Sequence, residues 1–280
     1  MRTGLPAGLP AWDPRSAAIW TLVALGGIVM VMPFAFMVST SLKSSDAIYE
    51  LGLIPREPTL ENYALLFSEG RFLRWFANSL AISTATTASV LFFDSLAGYV
   101  LCKYRFRGRE VVFVAILSTL MIPTEMLVIP WYVMSKTMGW LDTYWGIAFP
   151  GLITGFGVFL MKQFFESVPD ALIDAGRIDG LSEFRIFWEI ALPLVTPALS
   201  ALAIFTFLGS WTAFLWPLIV TNSAANFTVP VGLAAFAGEF ATEWNMIMTG
   251  AAVATLPVLA VFVLLQKYII RGVILSGVKG

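Results

Sequence analysis

A chain of 280 residues that is 58% hydrophobic and 12% charged, with a mean hydropathy of +0.82, cannot wrap itself in a polar surface and reads as a membrane protein. A net charge of −1 with no strongly basic face excludes an electrostatic nucleic-acid interface. The absence of His excludes imidazole metal ligands and a Ser-His-Asp triad, and the lone Cys102 excludes an internal disulfide.

A run of about 20 apolar residues, rising 1.5 Å each, crosses the ~30 Å hydrocarbon core. In chain order, spans are expected over 17–40, 76–101, 111–134, 144–161, 198–220 and 244–266. The first is too long for the apolar core of a cleaved signal peptide, so it is read as a retained helix. The expected fold is one all-α polytopic domain over 1–280 with six transmembrane helices. Twelve of the 17 Lys and Arg fall on the N-terminal side of this arrangement and five, Lys43, Arg56, Arg71, Arg74 and Lys136, fall on the other. The positive-inside bias therefore predicts both termini in the cytoplasm. Residues 227–240, apolar but broken by Pro230, Gly232 and Gly238, are too short to span. They read equally well as a segment dipping toward a translocation path or as a cover on the outer surface.

Between spans four and five the pattern changes. Residues 167–196 form a cytoplasmic segment holding Asp170, Asp174, Arg177, Asp179, Glu183, Arg185 and Glu189. Ala171, Leu172, Ala175 and Ile178 share one helical face, and Phe184, Phe187, Trp188 and Ala191 follow at i, i+3, i+4 and i+7. Gly180 is the natural breaker between them, because glycine alone takes the positive φ of a sharp turn without strain. Two short amphipathic helices joined at Asp179-Gly180 are predicted. On periodicity alone, a docking surface and a plain connector are equally good readings.

The residues Asp174-Ala175-Gly176, Gly180, then nine residues and Ile190-Ala191-Leu192-Pro193 resemble the cytoplasmic signature loop of ABC importer permeases. That pattern runs Glu-Ala-Ala, three residues, Gly, nine residues, Ile-x-Leu-Pro; Asp174 and Gly176 depart from it. Asn78-Ser79-Leu80, Arg105-Phe106-Arg107-Gly108, Met121-Ile122-Pro123, Leu215-Trp216-Pro217-Leu218 and Ala254-Thr255-Leu256-Pro257 resemble the carbohydrate-uptake branch, the maltose-type six-span permease among it. The tail Gly277-Val278-Lys279-Gly280 is similar too.

The resemblance implies a permease subunit of an ATP-driven importer in a prokaryotic plasma membrane, carrying a sugar or related polyol inward. It implies partners: a second permease, two ATP-binding cassette subunits and an extracytoplasmic solute-binding protein, all in membrane lipid and without nucleic acid. A phosphate-binding loop needs Gly-x-x-x-x-Gly-Lys-Ser/Thr, and no Gly-Lys dipeptide occurs here. This chain is thus expected to bind no cofactor and to catalyse nothing, with ATP and Mg held by the partner. The residues expected to couple to that partner are Asp174, Ala175, Gly176, Arg177, Asp179, Gly180, Leu181, Glu183, Phe184, Ile190, Leu192 and Pro193. Candidates for the translocation path are Glu125, between Pro123 and Pro130, together with Asp94 and Trp211. For Asp94 a structural hydrogen bond is the stronger reading. Trp131, Tyr132, Trp140 and Trp145 read more readily as an interfacial aromatic belt than as sugar platforms. The alternative function is an ion-coupled secondary transporter using Asp94 and Glu125. No internal repeat supports it, and it leaves the signature loop unexplained.

Overall fold

The computed structural model describes residues 14–50, 52–68, 70–237 and 242–277. Among them the regular structure is helical, apart from one isolated bridge between Ala237 and Thr242. Three helices are long and apolar enough to cross a membrane: α1 (Pro14–Ser41), α3 (Arg71–Lys103) and α13 (Trp244–Gly277). Three more candidates are bent pairs, so the count reaches six if each pair is one span. Between α1 and α3 lies the short α2 (Glu61–Ser68).

The expected third span over 111–134 is not a continuous helix. α4 (Arg109–Thr119) stops short, and after a 3-10 turn over Thr124–Leu127 the chain re-forms α5 (Val128–Thr137), bent from α4 by 94°. The reason is local. Pro123 disfavours helix at Ile122, while the Ser118 and Thr119 hydroxyls donate back to Val114 and Ile116 carbonyls and loosen the last turn. The fourth candidate is likewise a pair, Tyr144–Gly151 (opening with α6, Tyr144–Ala148) and α7 (Gly155–Glu166), at 43°. Thr154 starts α7 by accepting a hydrogen bond from Gly157 N–H at 3.0 Å.

After α7 come α8 (Asp170–Ile178) and α9 (Glu183–Leu194), and then α10 (Thr196–Trp211), which departs from α9 at 84°. The expected fifth span over 198–220 ends early. Thr212 to Phe214 interrupt it before the short α11 (Leu215–Val220). α12 (Val229–Ala234) precedes α13.

The centre of the bundle is α3, packed against α7 and α10, with α13 behind α10 and α1 laid along α13. Near the Lys103 end of α3, Tyr99, Met161, Phe165, Ile173, Ile186, Phe187 and Leu202 form one buried cluster. At the Arg71 end, Phe72 and Trp75 pack with Leu66, Val229 and Met246. Residues 227–237 pack on this end of α3. Asn78 Nδ2 donates to the Phe227 carbonyl, Val229 N–H donates to Ser79 Oγ, and a Cβ on Gly232 would sit 2.1 Å from the Trp75 ring. The segment is clasped against the Arg71 end of α3. Its remaining residues, Gly238 to Phe240, and the tail residues Val278 to Gly280 lie outside the described residues. No side chain of α1 within its most apolar window is buried by the rest of the chain.

Candidate coupling and translocation site

The charged segment folds into a helical hairpin of α8 and α9. Gly180 holds φ at +77°, as the turn requires, with nothing within 4 Å of a would-be Cβ. Leu181 N–H donates back to the Gly176 carbonyl and Asp179 N–H to that of Ala175, which closes α8. Ser182 then caps α9 by accepting from Arg185 N–H. Ile173 and Gly176 face inward. Gly176 is not merely a weak helix former at the position where the family pattern has Ala. A Cβ there would lie 2.7 Å from Ile190 Cδ1 and 3.1 Å from Ile186 Cγ1, so this is where α8 and α9 touch most closely.

The predicted seam of α9 holds together, with Phe184, Phe187 and Trp188 in ring contact, and it spans the edge of the core. Phe187 and Ala191 are buried, while Phe184 and Trp188 are 54% and 52% exposed and stack on each other. A π-helical stretch over Ile186–Ala191, whose i→i+5 bonding widens the turn, runs through it. Two faces result. Ile186, Phe187 and Ala191 anchor the hairpin to Tyr99 and Phe165, while Leu172, Ile178, Phe184 and Trp188 stand outward. Ile178, 86% exposed, is a large apolar side chain presented with no cover. Ala175 and Pro193 are exposed as well, and Leu181, Ile190 and Leu192 are half-buried against the core.

Charges fix the hairpin's shape. Arg177 bridges the two helices, donating to Asp174 Oδ1 at 2.9 Å and to Glu183 Oε1 at 2.8 Å. Tyr104, at the end of α3, donates its hydroxyl to Glu183. The hydrogen bond from Arg177 and then that from Tyr104 hold the Glu183 carboxyl below its ordinary range. Lys103 reaches from α3 to the Val168 carbonyl at 2.6 Å and to Asp170 at 2.7 Å, tying the hairpin's first residue to the bundle. The hairpin is therefore a stiff arm bolted to α3, with an exposed apolar tip and rim.

The three path candidates are not brought together. Asp94 is fully buried in α3 and accepts from the Thr154 amide and, at 2.6 Å, from the Thr154 hydroxyl, so it ties α3 to the start of α7. Trp211 is 3% exposed, stacks on Phe207, and donates from Nε1 to the Ala254 carbonyl. It sits inside the α10–α13 contact. Glu125 stands exposed on the 3-10 turn of the bent third pair. None of the three lines the cavity where the broken helices meet, although Thr154 does. The aromatic belt also needs correction: Trp131 and Trp140 pack inward on Phe149, and only Trp145 and Tyr132 keep substantial exposure.

With this geometry in place, residues 94–275 match the family described as binding-protein-dependent transport system inner membrane component. The chain is 36% identical over 276 residues to the arabinooligosaccharides transport system permease protein AraQ of Bacillus subtilis (strain 168), covering 97% of this chain and 98% of that protein. It is 31% identical over 275 residues to the sn-glycerol-3-phosphate transport system permease protein UgpE of Brucella abortus (strain 2308), covering 93% and 97%. Among solved structures, a chain of a bacterial ABC transporter involved in the import of the acidic polysaccharide alginate shares the fold. Its TM-score is 0.79 over 93% of this chain and 99% of that one, at 23% identity.

The fold and hairpin define a membrane permease of the ABC importer class. The chain belongs to the family of inner-membrane components of binding-protein-dependent transport systems. Its relatives are transport subunits rather than enzymes, and nothing in them supports an ion-coupled carrier.

Proposed function

We propose that this chain is one of two permease subunits of an ATP-driven importer that moves a sugar or related polyol into the cytoplasm. AraQ and UgpE are named for an oligosaccharide and a polyol phosphate, which supports that substrate range. The observation that carries the reading is the α8–α9 hairpin: Leu172, Ile178, Phe184 and Trp188 exposed around an Arg177 clamp that is rooted in α3. An exposed apolar cluster of this kind, rimmed by charges, is a protein-docking surface. The partner that fits is a cytoplasmic ATPase, which holds the ATP and Mg that this chain has no loop to bind. Two such ATPases, a second permease and an extracytoplasmic binding protein complete the assembly. The distribution of Lys and Arg supports a cytoplasmic position for the hairpin and both termini. Force on the hairpin passes to α3 through Lys103 and Tyr104, and from α3 to the broken helices around it.

The test is Gly180→Val. A β-branched residue at φ +77° costs about 1–3 kcal/mol of local strain and redirects Leu181. The protein should still insert, while sugar uptake and sugar-stimulated ATP hydrolysis are both lost. Normal uptake by Gly180→Val would reduce the hairpin to a connector.

A further inference from the structure

We infer that this chain itself contributes a contact site for a neutral saccharide at mid-membrane depth, an inference that rests on the importer reading above. A cavity of about 350 Å³ lies where the interrupted helices converge. It lies within the ~300–1,000 Å³ range of ligand sites, at the small end. Its wall takes Thr124 from the turn before α5, Pro150 and Thr154 from the break before α7, Ser210 from the last turn of α10 and Ala213 from the break after it. Thr86 closes it from the middle of α3, ~22 Å along the helix from Arg71 at 1.5 Å per residue. Irregular backbone at membrane depth survives where it lines a cavity, and discontinuous helices of transporters mark where solute is held.

The hydroxyls say what the cavity takes. Several Thr and Ser of the bundle satisfy themselves on their own helix: Thr87 donates to the Ser83 carbonyl, Ser200 to Thr196 and Thr212 to Leu208, whereas Ser83, Ser135 and Thr228, away from this cavity, do not. Thr86, 4% exposed, has its Oγ1 buried with no partner among the described residues. Thr124, Thr206 and Ser210 also line the wall without such a back-bond. A buried hydroxyl without a partner is costly, and Thr86 together with the more accessible hydroxyls of Thr124, Thr206 and Ser210 around one space suits a ligand rich in hydroxyls. Beside them Trp131 and Trp216 meet edge to face at 5.6 Å, and Trp216 is pinned by donating to the Gly146 carbonyl. Rigid aromatic faces next to hydroxyl donors suit the mixed apolar and polar faces of a sugar ring.

Charge narrows the class. Among the described residues no Asp, Glu, Lys or Arg lines the cavity; two acids flank its wall, Asp94 behind Thr154 and Glu125 next to Thr124. A phosphate or uronate would enter with no counter-charge and face a carboxylate behind the wall. The site therefore favours a neutral saccharide over an anionic solute.

The experiment measures uptake by cells carrying the complete transporter. The probes are labelled arabinotriose, maltose and raffinose, with sn-glycerol 3-phosphate as the anionic solute. Gly209 lines the cavity, and a Cβ there meets nothing within 4 Å, so Gly209→Leu fills the space without a clash in the wall. The expected result is uptake of at least one neutral sugar and none of sn-glycerol 3-phosphate. Gly209→Leu should abolish that uptake, and Thr86→Val should cut its rate at saturating sugar at least fivefold. Thr86→Ser should keep it, with membrane abundance and ATPase co-purification unchanged. If Gly209→Leu does not assemble, Thr86→Val against Thr86→Ser decides alone. Sugar uptake indifferent to Thr86→Val overturns the site and leaves the importer reading standing. Uptake of sn-glycerol 3-phosphate without any neutral sugar does the same. Quenching of Trp131 and Trp216 by brominated lipid would give the cavity to an acyl chain and overturn the site. Loss of every solute from the unmodified transporter's repertoire would instead overturn the importer reading itself.

Discussion

Replacing Asp94 tests how the broken helices are held. Its carboxylate accepts from Thr154 N–H at 3.1 Å and from the Thr154 hydroxyl at 2.6 Å, and Thr154 Oγ1 accepts in turn from Gly157 N–H at 3.0 Å. Asp94→Ala therefore removes the acceptor for two buried donors at once. A hydrogen bond to a charged group contributes about 1.5–3 kcal/mol, and the two here share one carboxylate, so a loss of about 3 kcal/mol is expected. Asp94→Asn keeps one oxygen for the Thr154 donors and should cost about 1 kcal/mol. Gly157→Ala attacks the same contact from the other side, since its Cβ would fall 2.1 Å from Asp94 Oδ2. The assay is the apparent melting temperature of the purified protein in detergent, followed by tryptophan fluorescence, with uptake measured in parallel. Stability should fall in the order wild type, Asp94→Asn, Asp94→Ala, and uptake should follow it. An Asp94→Asn protein of unchanged melting temperature that no longer transports would refute the reasoning, because the carboxylate would then be carrying a proton or ion.

Two further outcomes follow from the hairpin. Gly176→Ala should be nearly neutral, since Ile190 Cδ1 can swing aside and alanine gains about 1 kcal/mol of helix propensity over glycine. Gly176→Leu should overpack the α8–α9 contact by about 1–3 kcal/mol and raise proteolytic cleavage at the hairpin turn; equal cleavage in both variants would contradict the close approach. The Glu183 carboxyl is depressed in the fold, so its stabilisation is complete above the ordinary Glu value of about 4.3 and is lost as pH falls through the lowered value. Hydrogen exchange of the hairpin amides should stay slow down to about pH 5 and rise below about pH 4. Glu183→Gln should lack that pH step, and a step near pH 6 in the unaltered protein would refute the assignment.

Much of this was written locally. The apolar runs pointed to the three helices and three bent pairs that are apolar enough to cross a membrane, because hydropathy needs only composition within a window. The turn at Gly180 was legible because one residue type answers one backbone requirement. The direction of the chain within a run was not legible: residues 111–134 are predominantly apolar, yet they fold at 94°, since a window averages over Pro123 and over hydroxyls that loosen a helix end. Depth of burial was not legible either. The 3.6-residue rule put Phe184, Phe187, Trp188 and Ala191 on one face, but only packing against α3 and α7 decided that Phe187 and Ala191 are buried while Phe184 and Trp188 stay exposed. Asp94 could be recognised as needing a partner, but Thr154 lies 60 residues away and on another helix. The cavity is more distant still from any local signal, because its wall draws residues from α3, from α10 and from the segments around three separate interruptions. Local sequence sets which segments leave water and where the backbone can yield. Which yielding points meet is decided by the packing of one helix against another, through contacts that no window along the chain contains.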